Sequence, residues 1–132
     1  MAKNRVFISY DYDHDKAPKN QLLGWDANED FDFSSYDQSC EIAVDSPEAE
    51  AIKQDLAVRI GDANCFLCIV GKESYRSGWM AWETQKAFEL KKKLVAVKTD
   101  SINNSPSALQ RTGASWSMRF NFDSIKKAID RV

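Results

Sequence analysis

The chain carries one histidine, His14, among 132 residues. Every site built on two histidines is thereby excluded, including HExxH zinc peptidases and two-histidine iron centres. Three cysteines, Cys40, Cys65 and Cys68, are few and odd in number, which argues against a disulfide framework. Cys65 and Cys68 read as CxxC. They sit in an apolar run, however, where i and i+3 of a strand face opposite ways, so they are expected in the core rather than around a metal. The five glycines cannot be arranged as GxGxxG, and Gly71-Lys72 is followed by Glu73, with Phe66 where a phosphate-binding loop needs glycine. Rossmann-type dinucleotide binding and Walker-type ATP hydrolysis both drop out. The longest apolar run is Cys65 to Val70, far short of the ~18 residues that begin to suggest a membrane span. Met1 to Arg5 leads straight into Val6-Phe7-Ile8 with no long apolar stretch, so no secretory signal is read and cytoplasmic residence is expected.

What is present describes a globular protein. A hydrophobic fraction of 43% with a net charge of -2 is unlike a disordered chain, which combines low hydrophobicity with high net charge. The length suits one domain over residues 1–132, with no linker or internal repeat. Charge is unevenly spread: Asp11 to Asp55 holds 13 acids and 3 bases, and the remaining residues hold 7 acids and 15 bases. This asymmetry describes either two solvated faces or a basic face that meets the acidic face of another copy. Lys91-Lys92-Lys93 is too short a run to indicate nucleic acid, and neither a nucleic-acid nor a membrane partner is expected.

Arg5 to Tyr10 alternates β-branched and aromatic residues as a first strand and ends in the polar run Asp11-Tyr12-Asp13-His14-Asp15. Pro18, Leu22, Leu23 and Trp25 suggest a helix. Phe31 and Phe33 alternate with polar neighbours as a second strand, leading into Ser35 to Ser39. Ser46-Pro47-Glu48 reads as an N-cap, a proline at N1 and an acid in the first turn; Ile52, Leu56 and Ile60 then follow on one face, and Gly61 is placed to end the helix. Cys65 to Val70 is continuously apolar, as expected for a central strand buried on both faces. Ser77 is placed to cap a helix from Gly78 to about Lys92, Leu94 to Val97 is a fourth strand, and Ser115 to Phe120 is an edge strand. Ile125 to Ile129 belongs to a closing helix. This order predicts an α/β fold: a five-stranded, mostly parallel sheet with helices on both faces. Ligands bind such sheets at the carboxyl ends of the strands beside the point where strand order reverses. That rule singles out Ser9 to Asp15, Ser35 to Ser39 and Gly71 to Glu83.

Ser77-Gly78-Trp79-Met80-Ala81-Trp82-Glu83 is the most informative stretch. It opens a helix directly after the central strand and sets a carboxylate one turn from an aromatic, since Trp79 and Glu83 are i, i+4. Two tryptophans lower helix propensity, so each must gain something elsewhere. Core packing, with Glu83 paired to Lys86, would be gain enough on these residues alone.

Val6-Phe7-Ile8-Ser9-Tyr10 before an acidic loop, Asp30-Phe31-Asp32-Phe33, Ile52-Lys53 and Arg59-Ile60, Ile69-Val70-Gly71, and Ser77-x-Trp79-x-x-Trp82-Glu83 with Ala87 beyond together resemble the TIR-like family. They resemble most its short bacterial and archaeal branch, which includes the TIR component of Thoeris anti-phage defence. The resemblance spans about Val6 to Val97. It implies a flavodoxin-like fold and, in catalytic members, cleavage of the nicotinamide–ribose bond of NAD to ADP-ribose or a cyclic isomer that serves as a messenger. Carried over, it makes Glu83 the catalytic residue. The substrate-binding set becomes Ser9, Tyr10 and Asp11 after the first strand, Asp37 in the next loop, and Gly71, Lys72, Arg76, Ser77 and Trp79 after the third strand. NAD enters as substrate, with no cofactor and no metal. Self-association and a downstream effector reached through the nucleotide messenger are further implications.

One carboxylate is chemically sufficient. Breaking the bond from a pyridinium nitrogen to the ribose carbon turns a cationic leaving group neutral, so no general acid is required. Asp11, Asp13 and Asp15 should repel a diphosphate, which is therefore expected near Lys72 and Arg76 or on a neighbouring subunit. A catalytically silent TIR-like interaction module is the alternative reading. A response-regulator receiver is disfavoured because Val70-Gly71-Lys72 stands where it needs an aspartate, and a flavodoxin because Asp11-Tyr12-Asp13-His14 is the opposite of a hydroxyl-rich phosphate loop.

Overall fold

A computed structural model describes residues 4–25, 31–36, 42–110 and 112–131. Strands β1 (Asn4–Ser9), β2 (Phe31–Ser35), β3 (Cys65–Val70), β4 (Lys93–Lys98) and β5 (Ser115–Ser117) form one sheet in the order β2-β1-β3-β4-β5. Every neighbouring pair is parallel. The helices are α1 (Lys16–Gly24), α2 (Glu50–Asp62), α3 (Gly78–Glu89) and α4 (Phe122–Asp130). Parallel strands need crossovers, and these helices supply them on both faces.

The core divides at the sheet. Val6, Ile8, Leu67, Ile69, Val95 and Val97 pack with Leu22 of α1 and Ile125, Ala128 and Ile129 of α4. Phe7, Phe66, Cys68, Val70, Leu94 and Ala96 pack on the other face with Leu56 and Ile60 of α2 and Met80 and Ala87 of α3. Phe7 and Phe66, neighbours in register, stack with centroids 5.9 Å apart. All of β3 is buried, which follows from its central place between β1 and β4. Cys65 and Cys68 fall in opposite layers, as strand alternation requires. Burial pushes the Cys65 thiol up to about 12 and raises Cys68 as well, so both are inert core residues.

Several boundaries differ from the sequence reading. Ser46 stands at the N-cap position and Pro47 opens the helical stretch, but its first turn, Pro47–Ala49, is 3-10 and runs directly into α2 at Glu50. The Ser46 hydroxyl donates to the Ala43 carbonyl at 2.7 Å instead of capping the helix. Gly61 is inside α2, whose chain leaves at Ala63 in extended conformation. The third helix stops at Glu89, and Lys91 reverses the chain at a φ of 59°, the left-handed region more often given to glycine. The edge strand is shorter than Ser115 to Phe120 because Ser117 ends the pairing with Val97.

Candidate active site

The chain runs from β1 outward to β2 and then crosses back to β3, so strand order reverses between β1 and β3. At their carboxyl ends Ser77 opens α3. Its hydroxyl accepts the Met80 N–H at 3.2 Å, the cap expected from sequence. That fixed start turns the second turn of α3 over the end of β1. The Ser9 hydroxyl donates to Glu83 Oε1 at 2.8 Å, joining residues 74 positions apart. Glu83 is 8% exposed and Ser9 1%. Burial pushes the Glu83 carboxyl up to about 8, and the Ser9 hydrogen bond pulls it back only in part. Oε2 has no hydrogen-bond partner among the described residues. Lys86 pairs with Glu89 rather than with Glu83.

Glu83 lines a cavity of about 100 Å³. Its apolar part is Ile8 and Leu56, its wall is Tyr10, Tyr12, Tyr36 and Trp79, and its polar rim is Asp11, Asp13 and Ser77. Glu83 is thus largely buried, at the cavity beside Trp79, its i, i+4 neighbour. The Trp79 indole N–H donates to the Ile42 carbonyl at 3.0 Å, which fixes the ring at the edge of the cavity. Past Trp79 the cavity continues into an open groove of about 740 Å³ bordered by Ile42 to Asp45, Glu73 and Arg76, with Asp11, Asp13, Ser77 and Trp79 common to both. His14 Nδ1 lies 2.7 Å from Asp11 Oδ2, and this contact raises the His14 pKa.

The carried-over residues separate into groups. Tyr10, Asp11, Ser77, Trp79 and Glu83 meet at the cavity, and Ser9 supports it from beneath. Arg76 borders the outer groove, where it pairs with Glu73 at 3.3 Å. Lys72 does not line the cavity; it lines a neighbouring depression with Asp15, Tyr75, Thr99 and Asn103, which shares His14 and Glu73 with the outer groove. Gly71 is likewise off the cavity. It is buried against Asp15, and a Cβ there would collide with that carboxylate. Asp37 lies outside the described residues. Tyr12 and Tyr36 fall within the loops that the sheet rule singles out, but nothing in sequence separated them from their polar neighbours. Leu56 carried only a core signal. Among the described residues no group of three or more His, Cys, Asp or Glu side chains is placed to hold a metal, and no helix is long and apolar enough to cross a membrane.

Residues 7–104 match the family described as Thoeris protein ThsB, TIR-like domain. The chain belongs to this family. The match runs from Phe7 within β1 through β4 and takes in every described residue of the cavity. No curated protein matches the sequence. A 2-deoxyribosyltransferase from the psychrotolerant bacterium Bacillus psychrosaccharolyticus, with a solved structure, is similar over 89% of this chain and 88% of its own at a TM-score of 0.66. At 15% identity that similarity is one of fold, and it agrees with the flavodoxin-like, three-layer arrangement.

Proposed function

We propose that this TIR-like domain cleaves the nicotinamide–ribose bond of NAD, with Glu83 as its catalytic residue. The observation that carries the reading is one buried carboxylate at a ring-sized cavity walled by aromatic side chains. About 100 Å³ admits a nicotinamide ring but not a dinucleotide, since sites for larger ligands run to ~300–1,000 Å³. The ring enters beside Trp79 and Tyr10, and the rest of the molecule lies along the outer groove. The bond from ribose C1′ to the ring nitrogen breaks, and its electron pair goes to the nitrogen, leaving neutral nicotinamide. The positive charge left on the ribose is stabilised by the Glu83 carboxylate in a site that water screens poorly. Water then adds to C1′ and loses a proton to give ADP-ribose; an internal hydroxyl or adenine nitrogen gives a cyclic isomer.

In the empty cavity Glu83 holds its proton below about pH 8. An arriving pyridinium cation favours the carboxylate, so binding of the ring itself generates the working form. The product serves as a messenger to a downstream effector in anti-phage defence, in the cytoplasm, with self-association completing the phosphate contacts that the acidic first loop does not offer. The fold is shared with a 2-deoxyribosyltransferase, but the reading rests on Glu83 and its cavity.

The test is chromatography of nicotinamide, ADP-ribose and cyclic products after incubating the protein with NAD. Wild type should release nicotinamide, and Glu83→Gln should be slower by about 10²-fold or more, the scale of losing a transition-state electrostatic partner. Release that is no greater for wild type than for Glu83→Gln would leave an interaction module.

A further inference from the structure

The outer groove adjoins a depression of about 840 Å³ at the carboxyl ends of β3 and β4, and the two share His14 and Glu73. Two buried polar side chains line it without a full set of partners. Asp15, 7% exposed, stands at the N-cap position of α1, where an aspartate ordinarily accepts a helix N–H, yet it caps none. Its carboxylate lies over Gly71 instead, where a Cβ would collide with it. The Ser74 hydroxyl has a single proton and is nearer the Ile69 carbonyl, at 3.1 Å, than Asp15 Oδ2, at 3.4 Å. Asp15 Oδ1 has no hydrogen-bond partner among the described residues. Asn103, 9% exposed, donates through Nδ2 to the Val70 carbonyl and the Thr99 hydroxyl, each at 3.0 Å. That fixes its amide and leaves Oδ1 without a partner among the described residues.

The rest of the lining supplies a cation and two apolar faces. Lys72 is exposed and has no ion-pair partner among the described residues. The other charges are engaged: Glu73 with Arg76, His14 with Asp11, and Asp100 Oδ1 with the Ile102 N–H at 3.2 Å. Tyr75 and Ile102 are 47% and 84% exposed, so packing within the fold uses little of either. These are the partners that a nucleotide requires. Ribose hydroxyls donate to a buried carboxylate, a flat base stacks on an aromatic ring, and an ammonium meets a phosphate. The depression is also of the size that such ligands occupy.

We propose that this depression is a nucleotide subsite for the adenosine end of the dinucleotide, with the base on Tyr75 and Ile102, the ribose hydroxyls at Asp15 and Asn103, and a phosphate oxygen at Lys72. This rests on the cleavage reading above and assigns the half of the substrate that the Glu83 cavity is too small to hold. The way from cavity to depression follows the groove past Asp11, His14 and Glu73. One lysine meets part of the diphosphate charge, and the remainder is left to a neighbouring copy.

The experiment has two arms on the full chain. Calorimetry with AMP should show binding that weakens by about tenfold or more in Tyr75→Ala, the scale of one base–aromatic stack, and also in Lys72→Ala. Dideoxy-AMP, which lacks both ribose hydroxyls, should bind wild type about tenfold more weakly than AMP, as expected for lost hydrogen bonds to a charged group. AMP that does not bind, or that binds both variants as well as wild type, would overturn the proposal, and so would equal binding of the dideoxy analogue. The second arm takes kcat/KM for nicotinamide release from NAD and from nicotinamide riboside, which has no adenosine. The ratio of NAD to riboside should fall by about tenfold in Tyr75→Ala and in Lys72→Ala. An unchanged ratio would overturn the placement of the substrate, whatever AMP does. AMP bound as described, with no nicotinamide released from either substrate, would uphold the nucleotide site and sink the cleavage reading instead.

Discussion

The Glu83–Ser9 pair carries two opposed influences, and each can be separated by mutation. Burial raises the Glu83 pKa from an ordinary 4.5 to about 8, so between these values the folded protein holds a proton that the unfolded chain has released. Stability therefore falls as pH rises through that window. Glu83→Gln keeps the shape without the ionisation, and its melting temperature relative to wild type should climb by several degrees from pH 4.5 to 8, about 1–3 kcal/mol in a domain of this size. Thermal melts at the two ends of the window check this; a difference that does not change with pH would contradict it. The Ser9 hydroxyl works the other way, since its hydrogen bond lowers the Glu83 pKa. Ser9→Ala should shift the pH profile of nicotinamide release to higher pH and lower kcat by about tenfold or more, as expected for a hydrogen bond to a charged group. A profile displaced to lower pH would show that Ser9 is not what steadies the carboxylate. His14 points at Asp11 and is exposed, so His14→Gln should alter turnover only a few-fold, by initial rates, and a loss of about 10²-fold would place it in the proton chemistry.

The loops at the carboxyl edge are tied together by the turn after β3. The Ser74 hydroxyl accepts the Gly71 N–H at 2.8 Å and lies 3.1 Å from the Ile69 carbonyl and 3.4 Å from Asp15 Oδ2. Burial raises the Asp15 pKa, with Asp11 adding to it. Gly71 is the one glycine whose Cβ would run into this network, so Gly71→Ala should destabilise the fold by about 1–3 kcal/mol, read from denaturant midpoints. An unchanged midpoint would mean that the two loops move apart freely. What sequence made legible at this scale was decided by local physics. Ser77 capped α3 because a hydroxyl beside an open helix end has an obvious partner, and β3 was clear because only a central strand tolerates six apolar residues in succession. Gly61 misled, since α2 runs on through it to Asp62. The pairing of Ser9 with Glu83 depended on register between distant elements; only the rule about strand ends brought them near each other on paper.

Over the whole molecule the sheet separates two apolar layers and leaves its reactive groups at one edge, between β1 and β3. Asp11, Asp13 and Asp45 of the acidic Asp11 to Asp55 segment border that edge, and most bases lie elsewhere in the sequence. Arg76 is paired with Glu73 and Lys72 lines a neighbouring depression, so among the described residues no lysine or arginine lines the cavity itself. Turnover of NAD should accordingly rise with protein concentration, as the basic segment of one copy meets the acidic segment of the next, and salt should weaken the effect. Specific activity measured across a hundredfold dilution (about two decades, wide enough to cross a weak association) checks this, and a flat, salt-insensitive response would place the whole site in a monomer. The most direct measurement of the central claim is the pH dependence of kcat/KM for nicotinamide release, which reports the free enzyme's essential group. A working Glu83 carboxylate predicts a rise with pH to a plateau above about 8, absent in Glu83→Gln. Activity that is flat across this range, or falls as pH increases, would contradict it.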